Sequence, residues 1–253
     1  MRITFLGTGT SQGIPVIGCR CEVCKSVDYR NQRLRSSILI EGNATSIVVD
    51  TGPDFRQQML AHHVSKLDAV LFTHEHKDHV AGLDDIRSFN FLQKKDMPIY
   101  AVERVIDRLK EEFSYIFAEN KYPGVPKVEV NTISEQSFQI GDLEILPIEV
   151  MHYKLPVIGF RIDDFAYITD AKTIEKKEKE KLKNLDVLVL NALQIKEHIS
   201  HLTLEEALEW IEELKPKKAY LTHISHYLGL HKEVETILPE NVHLSFDGLK
   251  LSI

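Results

Sequence analysis

Cysteine is scarce in this chain and confined to one place. Its three cysteines, Cys19, Cys21 and Cys24, all lie within the stretch "GIPVIGCRCEVCK". An odd trio that close together cannot be fully disulfide-bonded, which excludes a disulfide framework. Long apolar runs are missing too. No stretch approaches the ~20 consecutive apolar residues of a membrane span, and the opening "MRITFLGTGTSQG" lacks the apolar core of a signal peptide. Clustered thiols without an export signal point to a reducing compartment, so a cytoplasmic location and no membrane partner are expected. The chain has one tryptophan, and it has no internal repeat, low-complexity tract or Gly/Ser/Pro linker. One domain over residues 1–253 is therefore expected. Positive charge is in deficit, with 31 Lys and Arg against 38 Asp and Glu. A net charge of −7 argues against a protein that coats nucleic acid or anionic lipid through a basic field.

What is present suits a sizeable folded core, with apolar residues at 43% and charged residues at 27%. Apolar, β-branched strand candidates recur: "RITFLG", "SSILIEG", "TSIVVD", "DAVLFT", "MPIYAV", "LEILPIEVM", "FAYITD", "DVLVLN", "KAYLTH" and "VHLSFDG". Between them, "LTLEEALEWIEELK" reads as a helix whose apolar face carries Leu204, Ala207, Leu208, Ile211 and Leu214. Thr203 and Glu206 form a capping box at its start, and Trp210 is read as packing. "GLDDIRSFNFLQKK" and "ERVIDRLKEEFSYIFAEN" are further helices, and the charge-rich run 173–184 reads as a solvated helical face. Strands with interspersed helices predict a layered α/β domain with helices outside the sheets. The glycines of "GTGTSQG" are spaced GxGxxxG, and Pro15 follows where a helix should begin. A dinucleotide loop is thereby excluded, and the glycines are read as allowing a tight backbone course beside the site.

Histidine is plentiful, at twelve residues, and the densest signal is "FTHEHKDHVAG". There His74, His76, Asp78 and His79 follow the apolar strand "DAVLF". Nitrogen and hard oxygen donors in that mixture suit Zn²⁺, Mn²⁺ or Fe. A charged, histidine-rich cluster beside a buried strand is costly unless something compensates it. His152 after "LEILPIEVM", Asp170 after "FAYIT" and His223 after "AYLT" share the placement of a good metal ligand at the end of an apolar strand. Together they describe a site across the lip of a sheet.

These residues resemble the metallo-β-lactamase fold superfamily, in which HxHxDH is followed by a distal His, Asp and His. "VVDTG" is a further matching feature, and the resemblance runs from "FLGTGTSQGIP" to "AYLTHIS". It implies an αββα metallo-β-lactamase sandwich with a dinuclear site along one edge. By this match His74, His76 and His152 take one divalent metal, Asp78, His79 and His223 take the other, and Asp170 bridges them. Asp50 supports the site from behind.

Three thiolates on one loop need a fourth ligand to close a structural zinc site. His226, three residues after His223, is the candidate, with His231 as a weaker one. The CxCxxC motif with such a histidine resembles the PhnP-like subgroup, the phosphoribosyl 1,2-cyclic phosphate phosphodiesterases. In "HISHLTLEEALEW" that resemblance makes His201 a catalytic histidine, with His198 as its rival. It implies hydrolysis of a small cyclic phosphodiester by a hydroxide held between two metals. Asp78 orients the nucleophile, and His201, as imidazolium, protonates the leaving alkoxide. Cofactors are then two catalytic ions (Zn, Mn or Fe) and one structural Zn, and the subgroup suggests a homodimer. The alternatives are a ribonuclease Z-like nuclease, against which the acidic charge speaks, and a non-catalytic ligand binder resembling the B-type protein of pyrroloquinoline quinone synthesis.

Overall fold

Along the strand Ser37–Glu41, Ile38 and Ile40 enter one hydrophobic core and Leu39 enters another. This period of two, repeated from strand to strand, makes both faces of each sheet apolar, so each face must be covered. The computed structural model describes residues 1–253. Its first six strands are β1 (Arg2–Gly7), β2 (Ser37–Glu41), β3 (Ser46–Val49), β4 (Ala69–Leu71), β5 (Met97–Ala101) and β6 (Val128–Thr132). The next seven are β7 (Phe138–Ile140), β8 (Leu143–His152), β9 (Leu155–Ile162), β10 (Phe165–Ile168), β11 (Val187–Asn191), β12 (Lys218–Thr222) and β13 (Val242–Leu244). A last strand, β14 (Lys250–Ser252), returns to the first sheet. The two sheets have the orders β14-β1-β2-β3-β4-β5-β6 and β13-β12-β11-β10-β9-β8-β7.

The inter-sheet core sets Ile3, Phe5, Ile38, Ile40, Val49 and Leu71 against Phe160, Tyr167 and Val189. Each such large side chain contributes roughly 1.5–3 kcal/mol by leaving water. Outside the first sheet, Leu39, Val48 and Val70 meet Phe55, Phe89 and Leu109 from the covering helices. Outside the second, Ala166, Ile168, Leu188 and Leu190 meet Leu204, Ala207, Ile211 and Leu214. The expected αββα sandwich is therefore present. The helix Leu204–Leu214 begins with the capping box of Thr203 and Glu206, and Trp210 packs on that outer core.

Strand direction places the site. In the first sheet β3 to β6 are parallel, and β1 shares their direction because two antiparallel pairings separate it from β3. In the second, β10 to β13 are parallel and β8 runs with them by the same double reversal. The carboxyl ends of β1, β3 and β4, and of β8, β10 and β12, thus all open on one lip, where α/β sheets place ligands.

Several local expectations are corrected. The helix read over 103–120 breaks at Phe113 (φ −115°, ψ 42°) into Glu103–Glu112 and Ser114–Phe117. Residues 82–95 begin as a 3₁₀ turn, Leu83–Ile86, before the helix Arg87–Gln93. Only Lys176–Glu180 of the charged run is helical. It is not wholly solvated, because buried Glu178 accepts from the Glu149 N–H at 3.0 Å and pairs with Lys181 at 2.8 Å. Strands β6, β7, β9 and β14 went unread. β6 is a largely exposed edge strand, β7 and β14 have three residues each, and Pro156 and Gly159 disguise β9.

Gly52 shows why the segment after β3 must be small. A Cβ there would lie 2.1 Å from the Asp78 carbonyl oxygen, part of the histidine-rich loop. Gly52→Ala is accordingly expected to destabilise the fold by about 1–3 kcal/mol, the range for overpacking. Chemical denaturation of chelator-treated protein checks this, and an unchanged midpoint would show that the loop yields freely.

Candidate metal centres

The loop leaving β4 carries His74 and His76, and the turn Lys77–Val80 presents Asp78 and His79 from its first residues. β8 ends at His152, while Asp170 and His223 lie just past β10 and β12. Asp50, Asp170 and His223 all adopt left-handed backbone, at φ 65°, 58° and 54°. Non-glycine residues in that region are uncommon, and their clustering at one lip is the pattern of a functional site.

The seven residues read as ligands of a dinuclear site converge. Ligand atoms of Asp78, His79, Asp170 and His223 lie within 4.8 Å of one another, as do those of His74, His76 and Asp170. His79 Nε2 is 3.2 Å from Asp78 Oδ2 and 3.6 Å from Asp170 Oδ1, and His223 Nδ1 is 3.1 Å from Asp170 Oδ1. On the other side, His74 Nε2 is 3.6 Å from Asp170 Oδ2. Nitrogen and oxygen ligands about 2.0–2.1 Å from one ion stand roughly 3.0–3.4 Å apart, so these edges are close to those of a coordination shell. The two oxygens of Asp170 face different groups, as a bridging carboxylate would. His152 groups with Asp170 and His201, its ring 5.1 Å from that of His76 and 6.0 Å from that of His74.

Four of the five candidate histidine ligands, all but His76, are oriented by their other nitrogen. His79 Nδ1 is 2.6 Å from Asp50 Oδ2, His152 Nδ1 is 2.9 Å from the Ser200 carbonyl, and His74 Nδ1 is 2.9 Å from Thr73 Oγ1. His223 Nε2 lies 3.3 Å from Thr10 Oγ1. Asp50 also accepts from the Thr73 N–H at 2.9 Å and from its hydroxyl, so it faces away from the lip. Partners of this kind fix ring orientation and tautomer at metal sites. The sequence reading missed Thr10, Thr73 and Ser200, although Thr10 and Thr73 share the strand-end placement that revealed the ligands. Meanwhile His74 Nε2, His79 Nε2, His201 Nδ1 and His223 Nδ1 are buried without any hydrogen-bond partner. Orphaned, convergent donors beside carboxylates fit divalent cations.

The cysteines converge as well. His226 Nδ1 lies 3.3 Å from Cys19 Sγ and 3.4 Å from both Cys21 Sγ and Cys24 Sγ. A tetrahedral zinc with sulfur at about 2.3 Å and nitrogen at about 2.0 Å gives an edge of roughly 3.5 Å. His231 is elsewhere, buried against Arg33 Nη2 at 3.1 Å.

A model of the beta-lactamase superfamily domain matches residues 45–224. The chain belongs to the beta-lactamase superfamily. A crystal structure of a diphosphatase from the PhnP family superposes with a TM-score of 0.93 at 39% identity, covering 100% of this chain and 97% of that one. An octanoyltransferase of Porphyromonas gingivalis is 41% identical over 256 residues. That alignment takes in 100% of this chain, which spans 52% of that protein, about half its length. Zn²⁺-bound PqqB from Methylobacterium extorquens shares the fold, with a TM-score of 0.84 at 18% identity over 100% of both chains.

In this superfamily member the electrostatics of the lip also suit cations. Burial pushes the His74 imidazole well below its ordinary pKa and lowers those of His76 and His223, leaving neutral rings with free lone pairs. Burial opposes the ionisation of Asp78 and Asp170, yet the protonated His79 beside them holds both carboxyls below their usual range. His79 is driven well above its usual value, against burial, by Asp78, Asp170 and Asp50. A proton on His79 thus supplies positive charge that a divalent ion would supply instead.

His201 is 8% exposed, its ring 4.5 Å from that of His152 and 4.9 Å from that of His223. Half-buried His198 stands behind it, 5.2 Å ring to ring. Burial lowers the His201 pKa to about 3, so the imidazolium expected from sequence is disfavoured and needs an anion beside it. No helix is long and apolar enough to cross a membrane.

Asp50→Asn is expected to weaken metal binding at the histidine lip by about 10–100-fold, the usual effect of losing a ligand's supporting carboxylate, while the cysteine centre keeps its ion. Cys21→Ser is expected to lower total metal by one ion per chain, read by elemental analysis. Equal metal content in Cys21→Ser and wild type would remove the cysteine centre.

Proposed function

We propose that this chain is a metal-dependent phosphoric diester hydrolase acting on a small substrate, with a five-membered cyclic phosphodiester as the preferred class. The observation that carries the reading is Asp170, whose two oxygens face separate ligand groups while His201 stands on the same lip. Two divalent ions held there would supply an acidified water and positive charge against the oxygens of a phosphate. His74, His76 and His152 would hold one ion, Asp78, His79 and His223 would hold the other, and Asp170 would span them. Asp78, at the first turn, also orients the nucleophilic water toward phosphorus. Asp50 and Thr73 keep His79 and His74 in the tautomer that turns a lone pair outward. His201, once an anionic phosphate raises its pKa, gives its proton to the departing alkoxide.

The diphosphatase of the PhnP family supports a second substrate class, the diphosphate linkage. Where the linkage's phosphorus is also esterified, it carries two bridging or ester oxygens like a diester's, and its better leaving group depends less on an acid. The name octanoyltransferase belongs to a protein about twice as long, and the cysteines here converge on His226 instead of standing free as acyl-transfer nucleophiles. A ribonuclease Z-like activity is less favoured because the chain carries a net charge of −7. Activity on a small diester should fall only gently with added salt, whereas an RNA substrate would show a steep linear loss on a log scale.

Phosphorus NMR of 5-phosphoribosyl 1,2-cyclic phosphate with Mn²⁺- or Zn²⁺-loaded protein is the direct test. Conversion to a ribose bisphosphate is expected, with none in Asp78→Ala. No conversion of this ester or of a diphosphate ester, with metals shown to be bound, would refute the proposal and leave a non-catalytic binder. His201→Asn is expected to lower kcat by about 10²–10⁴-fold on an alkoxide-leaving diester, the range for a lost general acid, and far less on a p-nitrophenyl diester. Equal losses on both would deny His201 the proton-donor role.

A further inference from the structure

The glycine-rich segment after β1 lies between the two sheets at the lip. Gly9 forms bridges both to Arg35, beside the first sheet, and to Ile224, just past β12 of the second. Its N–H donates to the Leu34 carbonyl at 2.8 Å, and its own carbonyl accepts from Ser36 N–H at 3.0 Å. Toward the second sheet, Thr10 N–H donates to the Ile224 carbonyl at 3.0 Å and Ile224 N–H donates to the Thr8 carbonyl at 2.9 Å. A Cβ on Gly9 would stand 2.9 Å from the Arg33 carbonyl oxygen, so only glycine lets three backbones lie this close.

The two threonines hold opposite ends of this strap. Thr8 Oγ1 donates to Asp247 Oδ1 at 2.7 Å and accepts from buried Arg33 Nη1 at 2.7 Å. Thr10 Oγ1 is 3.3 Å from His223 Nε2, with both residues buried. With a divalent ion on Nδ1, which faces Asp170, the His223 proton would sit on Nε2 and the Thr10 hydroxyl oxygen would accept it. Among the ligands of that ion, Asp78 and His79 come from the first sheet, and His223 comes from the second. The loop that starts at Thr10 ends in the cysteines, which meet His226. Residues 223–226 are therefore held by one loop at both ends.

We propose that Thr10 is a positioning residue for His223, and that the Gly7–Thr10 strap sets the separation of the two sheets across the second metal position. This rests on the two-metal reading of the lip and is independent of the substrate. The test is titration of the full chain with Co²⁺ alone, following visible absorption. Thr10→Val should weaken one lip ion by about 10–100-fold, leave the thiolate-to-cobalt band of the cysteine centre intact, and be rescued by Thr10→Ser. Unchanged affinity in Thr10→Val, with His223→Ala weakened, overturns the proposal and leaves the two-metal centre standing. Equal loss in Thr10→Val and Thr10→Ser assigns the effect to packing and overturns it too. Wild type and His223→Ala binding alike would remove the two-metal reading together with the proposal.

Discussion

Three carboxylates buried at one lip, Asp50, Asp78 and Asp170, are the constraint on which the rest of the structure depends. Burying charge without compensation is prohibitive, so each must meet positive charge or several donors. The protein meets that demand with imidazoles delivered from both sheets. His79 serves all three at once, its Nδ1 on Asp50 and its Nε2 facing Asp78 and Asp170. A cation between these groups satisfies the carboxylates and the orphaned ring nitrogens together. That double satisfaction is the physical case for metal here.

The sandwich exists to make such a lip rigid. Parallel strands bring their carboxyl ends to one edge, and the inter-sheet core of interlocked isoleucines and aromatics fixes the two edges relative to each other. At the lip this is reinforced by direct bonds between the sheets, such as Ile158 N–H to the Thr73 carbonyl at 3.0 Å. The chain accepts backbone strain there, with left-handed Asp50, Asp170 and His223, on the order of 1–3 kcal/mol each. Strain persists only where surroundings over-determine it, and here the ladders and the buried cores do so.

The cysteine centre and the histidine lip act on the same short segment. His223 and His226 are three residues apart and belong to different centres. A loop closed on both makes the histidine lip depend on a second, distant part of the chain. The diphosphatase of the PhnP family shares the fold along nearly its whole length.

The sequence by itself determined the donor set of the lip. His74, His76, Asp78 and His79 are adjacent in the chain, and a run of ligand types at strand ends is legible wherever apolar strands are legible. It determined the layered α/β class as well, because continuously apolar strands such as Ser37–Glu41, interspersed with helices, need cover on both faces. It did not reveal β9, whose Pro156 and Gly159 read as breakers, since only contact with β8 and β10 makes that stretch a strand. It ranked His226 above His231, but only the fold brings His226 to the cysteines, across as many as 207 residues of chain from Cys19. Tertiary structure alone also decided the protonation environment, turning His201 from an expected cation into a neutral ring by burial. Local pattern records which groups are available, whereas burial and convergence, which follow from packing, decide what those groups can do.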